Sequence, residues 1–145
     1  MNKYILKNGI ILDGSEDMKP YKADILVNNG IIEDIITDGK KPLDASEIDL
    51  EGKYIMPGLI NMHVHLAGNG KPQKKQRDNE KLVKRVFATP IGRFAATKLV
   101  ETYAKIELMS GVTTIRTVGG LRDLDTKTRD KINKGLIDGP RILAS

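Results

Sequence analysis

The chain has 145 residues, of which 39% are hydrophobic and 30% charged, a composition that excludes a disordered tail and predicts a globular protein. It contains no cysteine, which excludes a disulfide framework and a thiolate metal site and favours the reducing cytoplasm. Its formal charge of +5 is too modest to indicate a nucleic-acid partner, and we find neither a signal-peptide pattern nor an apolar run that would make the membrane a partner.

Short β-rich runs occupy the first third of the chain. In "ADILVNNGIIEDIIT", two apolar runs flank Asn28-Asn29-Gly30, a hairpin signal because Asn and Gly tolerate positive φ. "EIDLEGKYI" alternates between apolar and polar residues and turns at Glu51-Gly52. Closely spaced short strands predict a small antiparallel sheet, or half of a β-sandwich, over residues 1–56.

The pattern changes to alternating strands and helices from residue 57 onward. "LINMHVHLAG" is predicted to be a strand, and the basic stretch over 71–85 that follows it is predicted to be an exposed loop. Apolar residues then recur at three- and four-residue spacings, which predicts one face of a helix over 91–109. Pro90 suits the first turn of this helix, and Gly111 suits its end. The residues of the predicted face are Ile91, Phe94, Ala95, Leu99, Tyr103, Ile106 and Met109.

The remainder of the chain repeats the alternation. "VTTIRTV" is a β-branched strand that ends at Gly119-Gly120, and "DTKTRDKINKGLIDG" is a polar helix that ends at Gly135 or Gly139. "PRILAS" is predicted to be a third strand. This βαβαβ order predicts an α/β domain over 57–145 with parallel strands and right-handed crossovers.

Both histidines of the chain, His63 and His65, lie on the first of these strands, two positions apart. Two residues placed at random in a chain of this length have this spacing on the order of 1% of the time. Residues i and i+2 of a strand point to the same face, so the two rings share one side with Asn61. Two adjacent imidazoles can bind one Zn²⁺ ion, whereas a structural role requires a hydrogen-bond partner for each ring. We therefore predict that His63 and His65 are metal ligands.

Several segments resemble the amidohydrolase superfamily. "MPGLINMHVHL" resembles its entry strand, whose pattern is Pro-Gly-Leu-Ile-Asp, any residue, His, any residue, His. "IDLEGKYIMPG" resembles the stretch that joins the small β-sandwich of the family to its barrel. "GVTTIRTVGG" and "GPRILAS" resemble the second strand and the start of the third in the branch of imidazolonepropionases and Xaa-Pro-dipeptidase-like enzymes.

This resemblance implies a (β/α)8 TIM barrel, incomplete in this chain and preceded by a small β-sandwich-like domain. His63 and His65 match the first two ligands of one or two divalent metal ions, of which zinc is the expected one. The implied activity is hydrolysis of an amide, a cyclic amide or a related C–N bond of a small-molecule substrate by metal-activated water.

The chain departs from the family pattern at three points. Asn61 stands where the family usually has Asp, and the loss of such a charge beside a metal can weaken metal binding roughly 10–100-fold. Thr117 stands where the related branch often has Asp. The later ligands of the family come from strands beyond the third, and a complete barrel takes about 250 residues. We therefore expect an N-terminal portion that is inactive alone, with an open barrel edge that favours self-association.

Other charged and glycine-rich features have a structural and a functional interpretation. The basic stretch could attract an anionic substrate or remain a solvated loop, and it lacks the interleaved aromatic residues of a nucleic-acid site. Its members are Lys71, Lys74, Lys75, Arg77, Lys81, Lys84 and Arg85. Gly119-Gly120 could cradle an anion or simply form a turn. Asp123 and Asp125 could contact substrate or carry the charge favoured at a helix N-terminus. Arg116 would require a carboxylate partner if its strand were buried.

Two further hypotheses compete with the enzyme: a non-catalytic remnant and a basic binding module. A longer reading frame with more histidines and an aspartate would favour the enzyme over the remnant. A salt-dependent mobility shift with DNA or RNA would favour the binding module.

Overall fold

The computed structural model describes residues 3–40, 42, 44–68 and 79–144, which form two compact units divided after Pro57. The first unit contains only strands in its described residues, and the second combines three strands with three helices. The predicted α/β class is confirmed at this level. None of the helices in these residues has both the length and the apolar composition that crossing a membrane requires.

The first unit is built on one five-stranded sheet in which β1 is central. β2 pairs antiparallel with β1 and with β3, and the hairpin predicted between β2 and β3 is confirmed by positive φ at Asn29 and Gly30. β4 and β5 both pair parallel with β1, so the first of the two predicted alternatives, a small antiparallel sheet, is wrong for these two strands. The strands are β1 Lys3–Ile11, β2 Tyr21–Asn28, β3 Ile31–Ile36, β4 Ser46–Asp49 and β5 Tyr54–Ile55.

The turn at Glu51-Gly52 explains this difference. Both residues have positive φ, at 54° and 78°, as the sequence pattern suggests. The turn does not fold β5 back onto β4, however. It lets the chain continue along β1, where the backbone N–H of Gly52 donates to the carbonyl of Asn8 at 3.0 Å.

The second unit contains a parallel three-stranded sheet in the order β6-β7-β8. Two helices connect β6 to β7, and one helix connects β7 to β8, so the predicted βαβαβ alternation is confirmed. Within the described residues, β6 and β8 are the end strands of this sheet. The elements are β6 Leu59–Val64, α1 Asn79–Phe87, α2 Pro90–Met109, β7 Val112–Thr117, α3 Leu124–Asn133 and β8 Arg141–Ala144.

Helix α1 corrects the prediction of a basic loop. Lys81, Lys84 and Arg85 lie on this helix, whereas the other four basic residues of the stretch lie outside the described residues. Phe87 is buried in the core of the second unit, and Val83 and Val86 pack against it. These three apolar residues recur at helical spacing, a signal that the abundance of lysine and arginine concealed.

Helix α2 begins and ends as predicted but presents a different face to the sheet. Thr89 caps its N-terminus by accepting a hydrogen bond from the Gly92 N–H at 3.0 Å, and Pro90 is its first residue. The face expected in the core is largely exposed; Ile91 is 82% exposed and Met109 is 75% exposed. The buried side chains are instead mostly small ones, at four-residue intervals: Ala96, Val100 and Ala104. Periodicity alone could not distinguish these two apolar faces.

Buried Glu101 joins α2 to α3. Its carboxylate oxygens lie 2.7 Å from Lys98 Nζ and 2.5 Å from Lys131 Nζ, and its side chain is 8% exposed. Burial raises the pKa of Glu101, but hydrogen bonds from Lys131 and Lys98, together with their charges, outweigh burial and bring the pKa below its ordinary value. The ion pair therefore favours the folded state when Glu101 is ionised.

Glu101→Gln is expected to lower the free energy of unfolding at pH 7 by about 1–3 kcal/mol, because it removes the negative charge and one of the two oxygens that accept hydrogen bonds from the lysines. A lowered folded-state pKa stabilises above the unfolded value, and this stabilisation is lost as the pH falls through the folded pKa. The difference in unfolding free energy between the wild type and the variant should thus be largest above the ordinary pKa of 4.5 and should disappear in more acidic solution. Denaturant unfolding of both proteins over a series of pH values measures this difference. The Asp138→Asn variant, which changes an exposed carboxylate, is the control, and a stability difference that is constant across the series would refute the assignment.

Candidate metal site

Strand β6 carries His63, and His65 lies two residues later, just beyond the strand end at Val64. Val64 and Leu66 are 6% and 1% exposed and enter the core with residues of the three helices. His63 and His65, which alternate with them, are exposed. Both rings lie on the same side of the chain, because their Nε2 atoms are 3.2 Å apart. The prediction of a shared face is confirmed.

The two imidazole rings approach each other through their Nε2 atoms. His63 Nε2 and His65 Nε2 are 3.2 Å apart, and the ring planes meet at 68° with centroids 5.1 Å apart. Two nitrogens that bind one tetrahedral Zn²⁺ at about 2.0–2.1 Å are separated by about 3.4 Å. The observed separation is close to this value, so the donor set fits a single ion shared by both rings.

Two contacts with neighbouring groups orient the pair. The backbone N–H of His63 donates to Asn61 Oδ1 at 3.2 Å. His65 Nδ1 lies 3.4 Å from the Gly119 carbonyl oxygen, which can only accept a hydrogen bond. This contact places the proton of neutral His65 on Nδ1 and leaves the Nε2 lone pair directed toward His63.

An open cleft of about 590 Å³ lies beside the pair. Tyr103, Ile106 and Glu107 of α2 line it together with both histidines. Within the described part of the chain, no group of three or more His, Cys, Asp or Glu side chains is arranged to hold a metal ion. The described residues therefore bring together two candidate ligands, whereas a zinc centre normally has at least three protein ligands.

The structure also places the other charged residues singled out in the sequence. Arg116 is exposed on β7, so it does not require the carboxylate partner expected for a buried strand. Asp123 is the N-cap residue of α3, and its carboxylate lies 2.8 Å from Lys127 Nζ. The hydrogen bond from Lys127 holds the pKa of Asp123 below its usual range. These contacts favour the helix-terminus interpretation of Asp123 over a substrate contact.

Sequence reasoning missed the contact between His65 and the turn that follows β7. Gly119-Gly120 was interpreted as an anion cradle or a plain turn, yet Gly119 contributes the carbonyl that orients His65. The available signal was positional: in a parallel sheet, the residues that follow adjacent strands meet at the same edge. A glycine pair directly after β7 is therefore next to the end of β6.

Comparisons with known proteins show what the chain is similar to. No family model matches the chain. A dihydroorotase from Caldanaerobacter subterraneus subsp. tengcongensis is 43% identical over 76 residues, which are 50% of this chain and 16% of that protein. A candidate prolidase from Bifidobacterium longum superposes with a TM-score of 0.74 at 30% identity, covering 99% of this chain and 30% of that one.

A solved amidohydrolase gives a similar result, with a TM-score of 0.73 at 28% identity over 99% of this chain and 31% of the other. The chain thus spans about a third or less of the proteins that it matches. In sequence and in fold, the chain is thus similar to proteins of the amidohydrolase superfamily, and the match is consistent with the N-terminal portion of such an enzyme.

Proposed function

We propose that the chain is the N-terminal portion of a metal-dependent amidohydrolase and that His63 and His65 are two of its metal ligands. The observation that carries this proposal is the 3.2 Å separation of their Nε2 atoms, close to the edge of a zinc coordination tetrahedron. Zinc is the preferred ion because both donors are imidazole nitrogens. His63 and His65 would hold the ion, and the bound ion would supply an activated water nucleophile and polarise the scissile bond.

The described residues of this chain would hold the ion and orient its ligands. They do not provide all the groups that catalysis requires. His63 and His65 would each present one ring nitrogen to the ion, and the Gly119 carbonyl lies where it can accept a hydrogen bond from His65 Nδ1. Asn61 supports the backbone of His63 without the negative charge that a carboxylate would add. The similarity to a dihydroorotase and a prolidase supports a small-molecule substrate with a cyclic amide or dipeptide C–N bond.

The architecture is part of the same proposal. We assign the first unit as the small β-sandwich-like domain and residues 58–145 as the first βα units of a TIM barrel. The end strands β6 and β8 would then be edges that other strands cover, through self-association or through further chain. The lack of cysteine supports a cytoplasmic setting, and neither nucleic acid nor a membrane is a proposed partner.

Zinc titration tests the proposal directly. The intact chain is expected to bind one Zn²⁺ ion, and His63→Ala and His65→Ala should each weaken binding more than about 100-fold, beyond the effect of losing an outer-shell contact. Isothermal titration calorimetry measures the affinity, and Co²⁺ absorption reports the ligand geometry. Asp130→Asn, which removes an exposed carboxylate on α3, should leave the affinity unchanged. Equal zinc affinity in the wild type and both histidine variants would overturn the assignment.

A further inference from the structure

In the turn Gly119-Gly120, the first glycine contacts His65. Gly119 has a φ of +73°, a conformation that side chains of L-residues rarely adopt. A Cβ atom on Gly119 would lie 3.8 Å from His65 Cε1 and 3.9 Å from Nδ1, so the imidazole packs directly on this residue. The direction of the Gly119 carbonyl, and therefore its contact with His65, depends on this backbone conformation.

The carboxylate of Asp125 packs against the other residue of the turn. A Cβ atom on Gly120 would lie 2.6 Å from Asp125 Oδ2 and 2.7 Å from Cγ, distances at which no side chain fits. Asp125 is 3% exposed, and neither of its carboxylate oxygens has a hydrogen-bond partner among the described residues. It belongs to the first turn of α3, where the helix dipole favours a negative charge.

A buried carboxylate without a hydrogen bond is costly, and the helix dipole offsets only part of that cost. An alanine or a leucine at position 125 would fill this space at a lower free-energy cost. Neither has the flat, branched carboxylate group that packs against the backbone of Gly120. Exposed Asp123, the N-cap residue, pairs with Lys127 without a side-chain hydrogen bond to the helix backbone, and the carboxylate of Asp125 makes none either. The placement of Asp125 therefore calls for a role other than capping.

We propose that Asp125 is a positioning residue that holds the Gly119-Gly120 turn against His65 and thereby keeps His65 Nε2 free for a cation. The inference rests on the proposed metal site, because it concerns one of the two ligands of that site. The contact acts through shape. The carboxylate of Asp125 packs against Gly120 and fixes its backbone, which fixes the direction of the Gly119 carbonyl. That carbonyl holds the proton on His65 Nδ1. The unprotonated Nε2 then faces His63 at 3.2 Å.

The first test is the proton position on His65 in the metal-free chain. Nitrogen-15 NMR at about pH 8, where an ordinary histidine is neutral, should show the Nδ1–H form in the wild type. Asp125→Ala should shift His65 toward the Nε2–H form and weaken Zn²⁺ binding about tenfold. Asp125→Asn, which keeps the shape, should retain both properties, and Asp123→Asn is the matched control for loss of charge.

Gly120→Ala supplies an independent second variant. Its methyl group must displace the Asp125 side chain, so it should reproduce the effects of Asp125→Ala on His65 and on zinc. In the double variant the methyl group occupies the vacated space, and the two effects should not add. A purely structural role of Asp125 would lower the melting temperature without moving the proton of folded His65.

The outcomes separate the two proposals. If the wild type binds no Zn²⁺ but its His65 proton moves in Asp125→Ala, the proposed function fails and the positioning role stands. If the wild type binds Zn²⁺ and both variants keep its affinity and proton position, the positioning role fails alone. A wild-type His65 that is protonated on Nε2 overturns the positioning role even if neither variant folds.

Discussion

The 145-residue chain on its own is expected to hydrolyse dipeptides and cyclic amides at no more than the background rate, even when loaded with Zn²⁺. Enzymes accelerate such reactions by at least about 10⁶-fold, and a catalytic zinc normally has three protein ligands. The described residues contribute two, and they sit in an open cleft. Preorganised dipoles in a water-excluded pocket, which supply much of the acceleration, are therefore missing.

The measurement is an assay of the zinc-loaded chain, purified free of host hydrolases, against a panel of dipeptides and cyclic amides. His63→Ala serves as the control for contaminating enzymes. Turnover that disappears in this variant would contradict the expectation. It would mean that the chain completes its metal site by itself or by self-association.

Ile115→Ala is expected to produce the largest loss of stability among simple truncations of the second unit. Ile115 is 0% exposed at the centre of β7, where it packs with Val64 and Val100. Truncating a buried isoleucine to alanine costs about 2–5 kcal/mol, because it removes buried apolar surface and leaves a cavity. Domains are stable by only about 5–15 kcal/mol, so this variant should approach the limit of folding.

Urea unfolding followed by circular dichroism measures this difference. The matched control is Ile60→Ala on the adjacent strand β6, where the side chain is 64% exposed. This change should alter the free energy of unfolding by no more than about 0.5 kcal/mol. Equal losses in the two variants would show that β6 is covered in solution, by another copy or by a rearrangement of the chain.

The parts of the structure that were predictable depend on local geometry. The period of two along a strand places His63 and His65 on one face, whatever the strand pairs with. The Pro90 start of α2 and the turn at Asn29-Gly30 likewise follow from backbone preferences of single residues. These features can be predicted without knowing which strands and helices contact one another.

The features that were missed depend on contacts between distant segments. The parallel pairing of β4 with β1 joins residues about forty positions apart, so no local pattern shows it. The inward face of α2 was misassigned because the helix has two apolar stripes, and only the sheet selects between them. The contact of Gly119 with His65 and the burial of Asp125 also arise only when β6 and β7 lie side by side.

The outward apolar face of α2 also affects the thermodynamics of unfolding. The heat capacity change on unfolding scales with the apolar surface that becomes newly exposed. Ile91, Phe94 and Met109 are already 82%, 65% and 75% exposed in the folded chain, so they add little to that change. The curve of stability against temperature should accordingly be flatter than the hydrophobic content of the sequence suggests, and a polypeptide that covers this face would make the curve steeper.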